Sequence, residues 1–352
     1  MPMETITQNT LRAIRFERPD HIPMVFWINP ACWHHYRPEV LFELMADHPR
    51  LFPDFVPGPA AITEPAPWER AGLPYADAWG CVWQTTDDGI TGTVTRHPLA
   101  DWAALASFVP PDPARTNAMT GIDWAVERHR AEQAARAGLP WSASLEHGHT
   151  FQRLGYLRGY ENLLLDMADG DVRLNGLIGM VEAFNLGLVE RYLDLGAVMM
   201  CYPEDLGMQK GPMLSPALFR KYIRPVYERL MAPARDANCL VHMHSDGDIR
   251  ELVEDMLASG VDALNLQDLV NGVDWIAARL KGRVCIDLDI DRQQITPFAS
   301  PRRIDALIRS EVEALGSPEG GLMMIYGLYP GVPVENVRAV MDAMERYAGF
   351  YA

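Results

Sequence analysis

After residue 120 the apolar and polar positions follow two periods in alternation. Short apolar runs typical of buried strands occur at residues 139–148, 197–207, 239–247, 261–267, 284–290 and 322–327. Patterns with a helical period occur at residues 122–138, 159–196, 216–237, 248–260 and 333–350. Strands and helices that alternate at this spacing predict parallel β/α units. So many successive units favour an α/β fold closed into a (β/α)8 TIM-type barrel over an open sheet.

The first third of the chain is less regular. Residues 5–16 predict a short amphipathic helix, and residues 22–27 predict a strand. Residues 83–86 and 90–95 are rich in β-forming side chains, and Asp87-Asp88-Gly89 between them predicts a hairpin turn. We therefore expect one barrel domain over residues 1–352, in which about residues 1–120 hold an irregular extension with the hairpin.

Composition and charge narrow the class of partner. The chain of 352 residues is 48% apolar and carries a net charge of −16. This charge argues against nucleic acid or an anionic membrane as the main partner. The N-terminal residues show no secretory pattern, no apolar run approaches the roughly 20 residues of a membrane span, and the five cysteines form no C-x-x-C pair. We expect a cytoplasmic protein with buried thiols.

The stretch VHMHSDGD, residues 241–248, holds the densest group of candidate ligands, acids and bases. Side chains alternate along a strand, so His242 and His244 share one face, and Asp246 keeps that parity if the strand continues. Such a face can bind a divalent metal or form an acid–base set. The alternative is that His242 packs in the core. Asp248 is expected to cap a helix that starts directly after it.

Other polar groups follow the neighbouring predicted strands. Glu204 and Asp205 follow the strand at 197–203 and are expected to orient or polarise a substrate. His147 and His149 follow the strand before it and are expected to line a pocket. In a parallel barrel these strand ends meet at one face, where functional residues collect. The alternatives are a solvated loop for the carboxylates and loop packing for the histidines.

Several longer segments resemble the uroporphyrinogen decarboxylase superfamily, and they span nearly the whole chain. They are LRAIRFERPDHIPM, DAWGCVWQ, LRGYENLLLDMADGD, YPEDLGMQKGPMLSPALFRKYIRPVYERL, HSDGDIRELVEDMLASGVDALNLQ and VPVENVRAVMDAMERY. The resemblance implies a (β/α)8 barrel. It also implies one of two activities, decarboxylation in the porphyrin pathway or zinc-dependent methyl transfer with corrinoid proteins or related methyl carriers.

Two departures from the superfamily's patterns matter. Its porphyrinogen decarboxylases carry an arginine-rich motif after the first strand, where this chain reads VFWINPACWHHYRPE with Arg37 as its only arginine. A substrate with many carboxylates lacks its usual clamp here. Its methyltransferases show a His-x-Cys pair where this chain has His244-Ser245-Asp246, and a second Cys near the last strand, where LMMIYGLYPGVP has none. A mixed nitrogen and oxygen site suits hydroxyl, methoxyl or carboxylate groups better than thiols.

The resemblance and the residues together indicate a methyltransferase or demethylase that acts on a small methylated organic substrate. His244, Asp246, Asp205 and Glu204 are the candidate catalytic residues. Zinc is the candidate metal, bound by His244 and Asp246, with His242 and Glu204 as further candidate ligands. The candidate substrate-binding residues are Trp27, Trp33, His34, His35, His147, His149, Gln267 and Tyr326.

The methyl acceptor implied by the resemblance is a corrinoid, free or carried by a protein, or tetrahydrofolate. A homodimer is compatible with this reading, and no nucleic-acid or membrane partner is expected. Two alternatives remain open at this point. One is a decarboxylase-like lyase acting on a small carboxylic acid, in which Asp205 or Asp246 protonates a carbanion. The other is a non-enzymatic protein that binds a corrinoid or tetrapyrrole.

Overall fold

The computed structural model of this protein describes residues 6–351. Its helices are α1 (Gln8–Ile14), α2 (Cys32–His35), α3 (Pro38–Asp47), α4 (Trp124–Arg136), α5 (Phe151–Arg158), α6 (Tyr160–Asp169), α7 (Val172–Asp194), α8 (Pro216–Leu218), α9 (Arg224–Asp236), α10 (Val253–Ala258), α11 (Asp268–Asn271), α12 (Val273–Leu280), α13 (Ile295–Phe298), α14 (Pro301–Leu315) and α15 (Val334–Ala348). Its strands are β1 (Met24–Ile28), β2 (Tyr75–Ala76), β3 (Val82–Gln84), β4 (Thr93–Arg96), β5 (Ser142–Ser144), β6 (Met199–Pro203), β7 (Gly207–Met208), β8 (Gly211–Pro212), β9 (Leu240–Ser245), β10 (Ala263–Gln267), β11 (Cys285–Asp289) and β12 (Leu322–Leu328).

The chain divides into two compact units. Of the described residues, the first unit holds 6–8, 76–83 and 94–265, and the second holds 9–75, 84–93 and 266–351. The main strands follow the order β5–β6–β9–β10 in the first unit and β10–β11–β12–β1 in the second. Residues of β10 belong to both units, because the division falls after Asn265.

In the first unit β5, β6 and β9 pair in parallel. Met199 lies opposite Ser142, and Pro203 at the end of β6 lies opposite His244. Because parallel strands in register end at the same edge, the loops that follow β5, β6 and β9 leave the sheet side by side. These loops contain His147, Asp205 and Asp246.

In the second unit β1 and β11 both pair in parallel with β12. Trp27 lies opposite Gly327, and a Cβ atom at Gly327 would lie 2.6 Å from the indole of Trp27. The missing side chain at Gly327 therefore makes the space that the indole occupies. Tyr326, the neighbour of Gly327, points to the opposite face and packs its ring on Phe26 with centroids 5.2 Å apart.

The repeated parallel β/α units confirm the predicted α/β fold of the TIM-barrel type. The parallel strands number seven in the part of the chain that the structure describes, one fewer than in a complete (β/α)8 barrel. The predicted hairpin strands correspond to β3 and β4, which are neighbours in a small sheet with β2. The first predicted helix is the shorter α1, and Thr5, its predicted first residue, lies outside the described residues.

The predicted helix start at Asp248 is wrong. The backbone N–H of Asp248 donates to the carbonyl of Met208 at 2.7 Å, which makes an antiparallel bridge, and α10 begins only at Val253. The Asp248 carboxylate accepts from the N–H of Arg250 and pairs with that residue's guanidinium at 2.7 Å. The regular helix therefore begins later than predicted, although the carbonyl of Ile249 already accepts from the N–H groups of Leu252 and Val253.

One long helix and the thiols bear on the environment of the protein. By length and composition α7 is able to cross a membrane, a criterion that the core helix of a globular domain also meets. In the first unit α7 packs against α5 and α9, and Glu182 on it pairs with Arg229 of α9 at 2.5 Å.

Four of the five cysteines are buried, Cys201 is half-buried, and all five are free, as expected of buried thiols.

Among the buried acidic side chains of the second unit are Asp268, Asp291 and Glu311. One Asp268 oxygen accepts from the backbone N–H of Asp291 at 2.9 Å. Both carboxyl oxygens of Glu311 are buried without a hydrogen-bond partner among the described residues. Burial, and then the nearby charge of Asp268, hold the pKa of Glu311 well above its ordinary value, and burial raises the pKa of Asp268 to about 6. Glu311 therefore keeps its proton to a higher pH in the folded protein than in the unfolded chain.

We expect this acidic group to make stability depend on pH. Both folded-state pKa values lie above the unfolded ones, so the stabilisation is complete below about pH 4 and is lost as the pH rises through about 6 and beyond. A shift of the size seen at Asp268 corresponds to on the order of 2–3 kcal/mol. Glu311→Gln should raise the melting temperature at pH 8 relative to wild type and change it little at pH 4.5.

Thermal melts from pH 4.5 to 8 measure this difference. Glu313→Gln, on the same helix but exposed and paired with Arg309, is the matched control and should shift the melting temperature equally little at all pH values. Equal pH profiles for wild type and Glu311→Gln would show that Glu311 titrates normally.

Candidate metal and active site

Three side chains from successive strand ends converge in the first unit. Among the described residues, His147, Asp205 and His244 form a group whose potential ligand atoms all lie within 4.8 Å of one another. His147 follows β5, Asp205 follows β6, and His244 lies near the end of β9. The parallel register described above is the reason that His147 meets Asp205, 58 positions away in the chain, and that Asp205 meets His244.

Asp205 is the centre of this group. Its Oδ1 lies 3.3 Å from Nε2 of His147 and 3.4 Å from Nε2 of His244, and it accepts from the backbone N–H of Asp246 at 3.1 Å. The Asp246 carboxylate lies 3.8 Å from Nε2 of His244. The two imidazole rings stand 5.7 Å apart at 54°. Two imidazole nitrogens and a carboxylate therefore face one small space, with a second carboxylate beside it.

Asn265 on β10 sets the orientation of His244. Its Oδ1 accepts a hydrogen bond from Nδ1 of His244, which leaves Nε2 directed at Asp205. An oxygen acceptor on one ring nitrogen is the arrangement that fixes the tautomer and rotation of a ligand histidine. The pairing needs β10 next to β9, and so it follows from the strand order.

The charges in the group stabilise one another. Burial alone would lower the pKa of His244, but its hydrogen bond to Asp205 and the charges of Asp246 and Asp205 raise that pKa to about 9. Burial opposes ionisation of Asp205, yet His147 and His244 hold its pKa well below the ordinary value. Without a metal, His244 is thus a cation at neutral pH and Asp205 an anion.

The loops after β6 and β9 touch backbone to backbone. A Cβ atom at Gly247 would lie 2.2 Å from the carbonyl carbon of Gly207, and one at Gly207 would lie 2.5 Å from the carbonyl carbon of Gly247. Gly247 also has φ of 81°, a conformation that favours glycine. The N–H of Gly207 donates to the carbonyl of Asp246 at 3.1 Å. This contact holds Asp205 and Asp246 at a fixed separation.

Glu204 lies next to Asp205 in the chain but points elsewhere. It is fully buried, and it accepts from the backbone N–H groups of Thr150 and Gln152 and from the hydroxyl of Tyr227. Burial raises the pKa of Glu204 to about 7, although these three donors favour the carboxylate. Its oxygens therefore accept hydrogen bonds at the start of α5.

The other two candidate histidines lie nearby. His149 is buried, its Nδ1 lies 2.7 Å from the hydroxyl of Thr150, and burial lowers its pKa to about 3, so that it is neutral. Its ring lies 5.7 Å from that of Tyr227. His242 lies in β9 opposite Cys201 and is half-buried, two residues before His244 on the same face. Its assignment as a metal ligand stays a prediction.

The remaining candidate residues belong to the second unit. Trp27 makes an edge contact with Tyr329 at 5.5 Å and is half-buried, whereas Trp33 is buried against Phe42. The predicted roles of these tryptophans in substrate binding stay predictions.

Four other candidates of the second unit are also placed. The side chains of His34 and His35 are exposed on α2. Gln267 is the buried last residue of β10, and the hydroxyl of buried Tyr326 donates to Thr296 at 3.0 Å. Their predicted roles in binding a substrate stay predictions as well.

Sequence reasoning missed a buried ion pair in the first unit. Arg153 of α5 pairs with Asp77 at 2.6 Å, and both side chains are at most 2% exposed. Asp77 also accepts from the indole N–H of Trp83 and from the backbone N–H groups of Trp79 and Cys81. The pair anchors α5 to the turn before β3. Residues 76 positions apart in irregular sequence carry no periodic signal that could have revealed it.

Comparison with known proteins identifies the family. The uroporphyrinogen decarboxylase (URO-D) profile matches residues 75–347, which is more than half of the chain. The chain belongs to the uroporphyrinogen decarboxylase family. It is similar to uroporphyrinogen decarboxylase from Thermus thermophilus, with 31% identity over 140 residues that cover 38% of each chain. The human uroporphyrinogen decarboxylase is 26% identical over 147 residues, again 38% of each chain.

The fold comparison reaches across the whole chain. A methyltransferase from Methanosarcina mazei superposes with a TM-score of 0.63 and 16% identity over 99% of both chains. This likeness shows the fold and not the reaction. The matched curated decarboxylases share only 38% of their length with this URO-D family chain. These comparisons therefore leave the reaction, the substrate and the cofactor to be proposed from the site.

Proposed function

We propose that this URO-D family protein is a metal-dependent methyltransferase or demethylase that acts on a small methylated organic substrate. The observation that carries the proposal is the convergence of His147, Asp205 and His244 within 4.8 Å. Three protein ligands with nitrogen and oxygen donors are the set that catalytic zinc sites use, with a further position left for substrate or water.

The residues present fit such an ion. Asp205 is a carboxylate over the ordinary pH range, and His244 already has Nε2 directed inward by Asn265. His147 and His244 would supply the imidazole ligands and Asp205 the carboxylate ligand. A divalent ion bound there would act as a Lewis acid toward a substrate oxygen. This set differs from the sequence prediction, which named His244 and Asp246 as ligands and His242 and Glu204 as further candidates. Only His244 is common to both sets, and His147 and Asp205 are the other two ligands proposed here.

The chain's own residues would bind and orient the substrate around that ion. Asp246 stands 3.8 Å from His244 and is placed to accept a hydrogen bond from a substrate hydroxyl or to hold a proton near the leaving oxygen. In methyl transfer the bond from the methyl carbon to the substrate heteroatom breaks, and the heteroatom keeps the electron pair. The methyl group passes to the nucleophile of an acceptor, for which we propose a corrinoid, free or protein-bound, or tetrahydrofolate.

Metal analysis and methyl-transfer assays test the proposal. Protein purified without chelator should hold about one zinc ion per chain. It should consume methoxylated or N-methylated small substrates when cob(I)alamin or tetrahydrofolate is supplied, and chelation should abolish the turnover. Uroporphyrinogen should not be decarboxylated at an enzymatic rate, since Arg37 is the only arginine in the segment after β1.

A metal-free protein that forms coproporphyrinogen would contradict both parts of the proposal. Tight corrinoid binding without turnover of any methylated substrate would favour a carrier role instead of an enzyme.

A second candidate is a lyase that removes carbon dioxide from a small acid. The raised pKa of His244, about 9, favours it, because an imidazolium is a ready proton donor at neutral pH. The bond to the carboxylate carbon would break, its electrons would stay on the substrate carbon, and His244 would give that carbon its proton. Asp205, whose pKa lies well below the ordinary value, is a poor donor for this step. Carbon dioxide release without metal or methyl acceptor distinguishes this reaction.

A further inference from the structure

Glu204 is a fully buried acid next to a proposed metal ligand, and its oxygens are engaged with another part of the chain. One oxygen accepts from the backbone N–H of Thr150 at 2.8 Å and from that of Gln152 at 2.9 Å. The other accepts from the hydroxyl of Tyr227, which is also fully buried. The carboxylate therefore holds a segment of backbone in place, and it does so from the loop after β6 that also carries Asp205.

That segment is the start of α5. The first N–H groups of a helix have no partner within the helix, and an N-terminal residue usually supplies one from its side chain. Thr150 is the residue before α5, but its side chain does not cap the helix. Glu204 supplies the missing acceptor from a different element, and the positive end of the helix dipole favours its ionised form.

The same segment carries His147. Only Gly148 and His149 separate it from Thr150, and the N–H of Gly148 donates to the carbonyl of Pro203 at 2.9 Å. The side chain of Gln152 accepts from the backbone N–H of Asp205 at 3.0 Å. The segment from residue 148 to 152 is thus tied at several points to the end of β6.

The side chain of His147 is 38% exposed, so the backbone that carries it matters for its position. Its Nε2 lies 3.3 Å from Asp205, and that distance depends on where the backbone of the segment lies. A ligand on a loop that lost its anchor would spend part of its time out of reach of the other two.

We infer that Glu204 is a positioning residue, which holds His147 within ligand distance of Asp205 and His244 by anchoring residues 148–152. The inference rests on the proposed metal site. It departs from the sequence-based expectation that Glu204 takes part in the chemistry or binds the metal itself.

The test measures the affinity of the metal-free protein for Co²⁺ alone, by the visible absorption of the bound ion, in four variants. Glu204→Ala should weaken Co²⁺ binding by about 10–100-fold, the range seen when a residue that supports a metal ligand is removed. In a protein that already carries His147→Ala, Glu204→Ala should cause less than about threefold further loss, because the ligand that it positions is gone.

Glu204→Gln is the conservative variant in this series. Its amide oxygen can still accept from both N–H groups, so it should lose much less Co²⁺ affinity than Glu204→Ala does. If Glu204 were itself a ligand, Gln and Ala would weaken binding alike. If it were only a core residue, Glu204→Ala would weaken binding equally with and without His147. Either result would overturn the inference.

Amide hydrogen exchange provides a readout that needs no metal. In wild type and in Glu204→Gln the N–H groups of Thr150 and Gln152 should be protected, and Glu204→Ala should exchange them faster while the N–H groups of β9 stay protected. Should Glu204→Ala fail to fold, Glu204→Asp replaces it, because its shorter side chain keeps the charge and withdraws the acceptor. A wild-type protein that binds no metal would refute the proposed site, while unchanged exchange at these amides would refute the positioning role.

Discussion

Replacing His244 with alanine should weaken metal binding by at least about 100-fold and abolish turnover, with a moderate fall in melting temperature at neutral pH. The estimate exceeds the 10–100-fold cost of losing a residue that merely supports a ligand, since His244 is proposed as a ligand itself. Some stability should be lost near pH 7, because the raised pKa of His244 means that its cation is favoured in the folded protein. The loss should stay moderate, since Asp205 keeps His147 as a partner. Co²⁺ titration and thermal melts measure both quantities.

His129→Ala is the matched control for this experiment. His129 lies on α4 in the same unit, its side chain is exposed, and its removal should change neither metal affinity nor melting temperature. A His244→Ala protein that is unfolded, or one that is folded and binds Co²⁺ as wild type does, would show that His244 has a structural role and that the site lies elsewhere.

Replacing Asp77 with alanine should be the most destabilising single change of those considered, at about 3–5 kcal/mol. The change leaves the Arg153 guanidinium buried without its charge partner and removes the acceptor for the indole of Trp83. For a chain of this length such a loss lowers the melting temperature by about 5 °C. Urea unfolding and calorimetry both report it.

An exposed ion pair in the same unit provides the comparison. Glu132 and Arg136 lie one turn apart on α4, 3.4 Å from each other, and both are at least half exposed. Glu132→Ala should cost less than about 0.5 kcal/mol. A loss at Asp77 no larger than the loss at Glu132 would mean that water reaches Arg153 in solution.

Strand periodicity was enough to predict where the candidate site lies. The location depends on the local pattern of each strand and on the rule that parallel strands end at the same edge of a sheet. It placed His244, Asp246 and Asp205 at one edge, and the structure puts these three together. The same reasoning ordered the elements of the fold after residue 120, where each strand and helix has its own period.

The failures lie where side chains reach across elements. Asp248 has the sequence context of a helix cap, but its backbone pairs with Met208 and α10 begins only at Val253. Glu204 and Asp205 are adjacent acidic residues. The position of α5 decides that Glu204 is enclosed, while Asp205 faces the histidines. Contacts between distant loops have no period in the sequence, so no such pattern predicts which of these two carboxylates α5 encloses.

The contact between Gly207 and Gly247 has a consequence for how this protein can vary. Each glycine occupies space that any side chain on the other would need, so neither loop can be exchanged, lengthened or given bulk by itself. The segment that carries Asp205 and the one that carries Asp246 can therefore change only together. Any natural or engineered change of donor atoms here must preserve that paired geometry or replace both segments in one step.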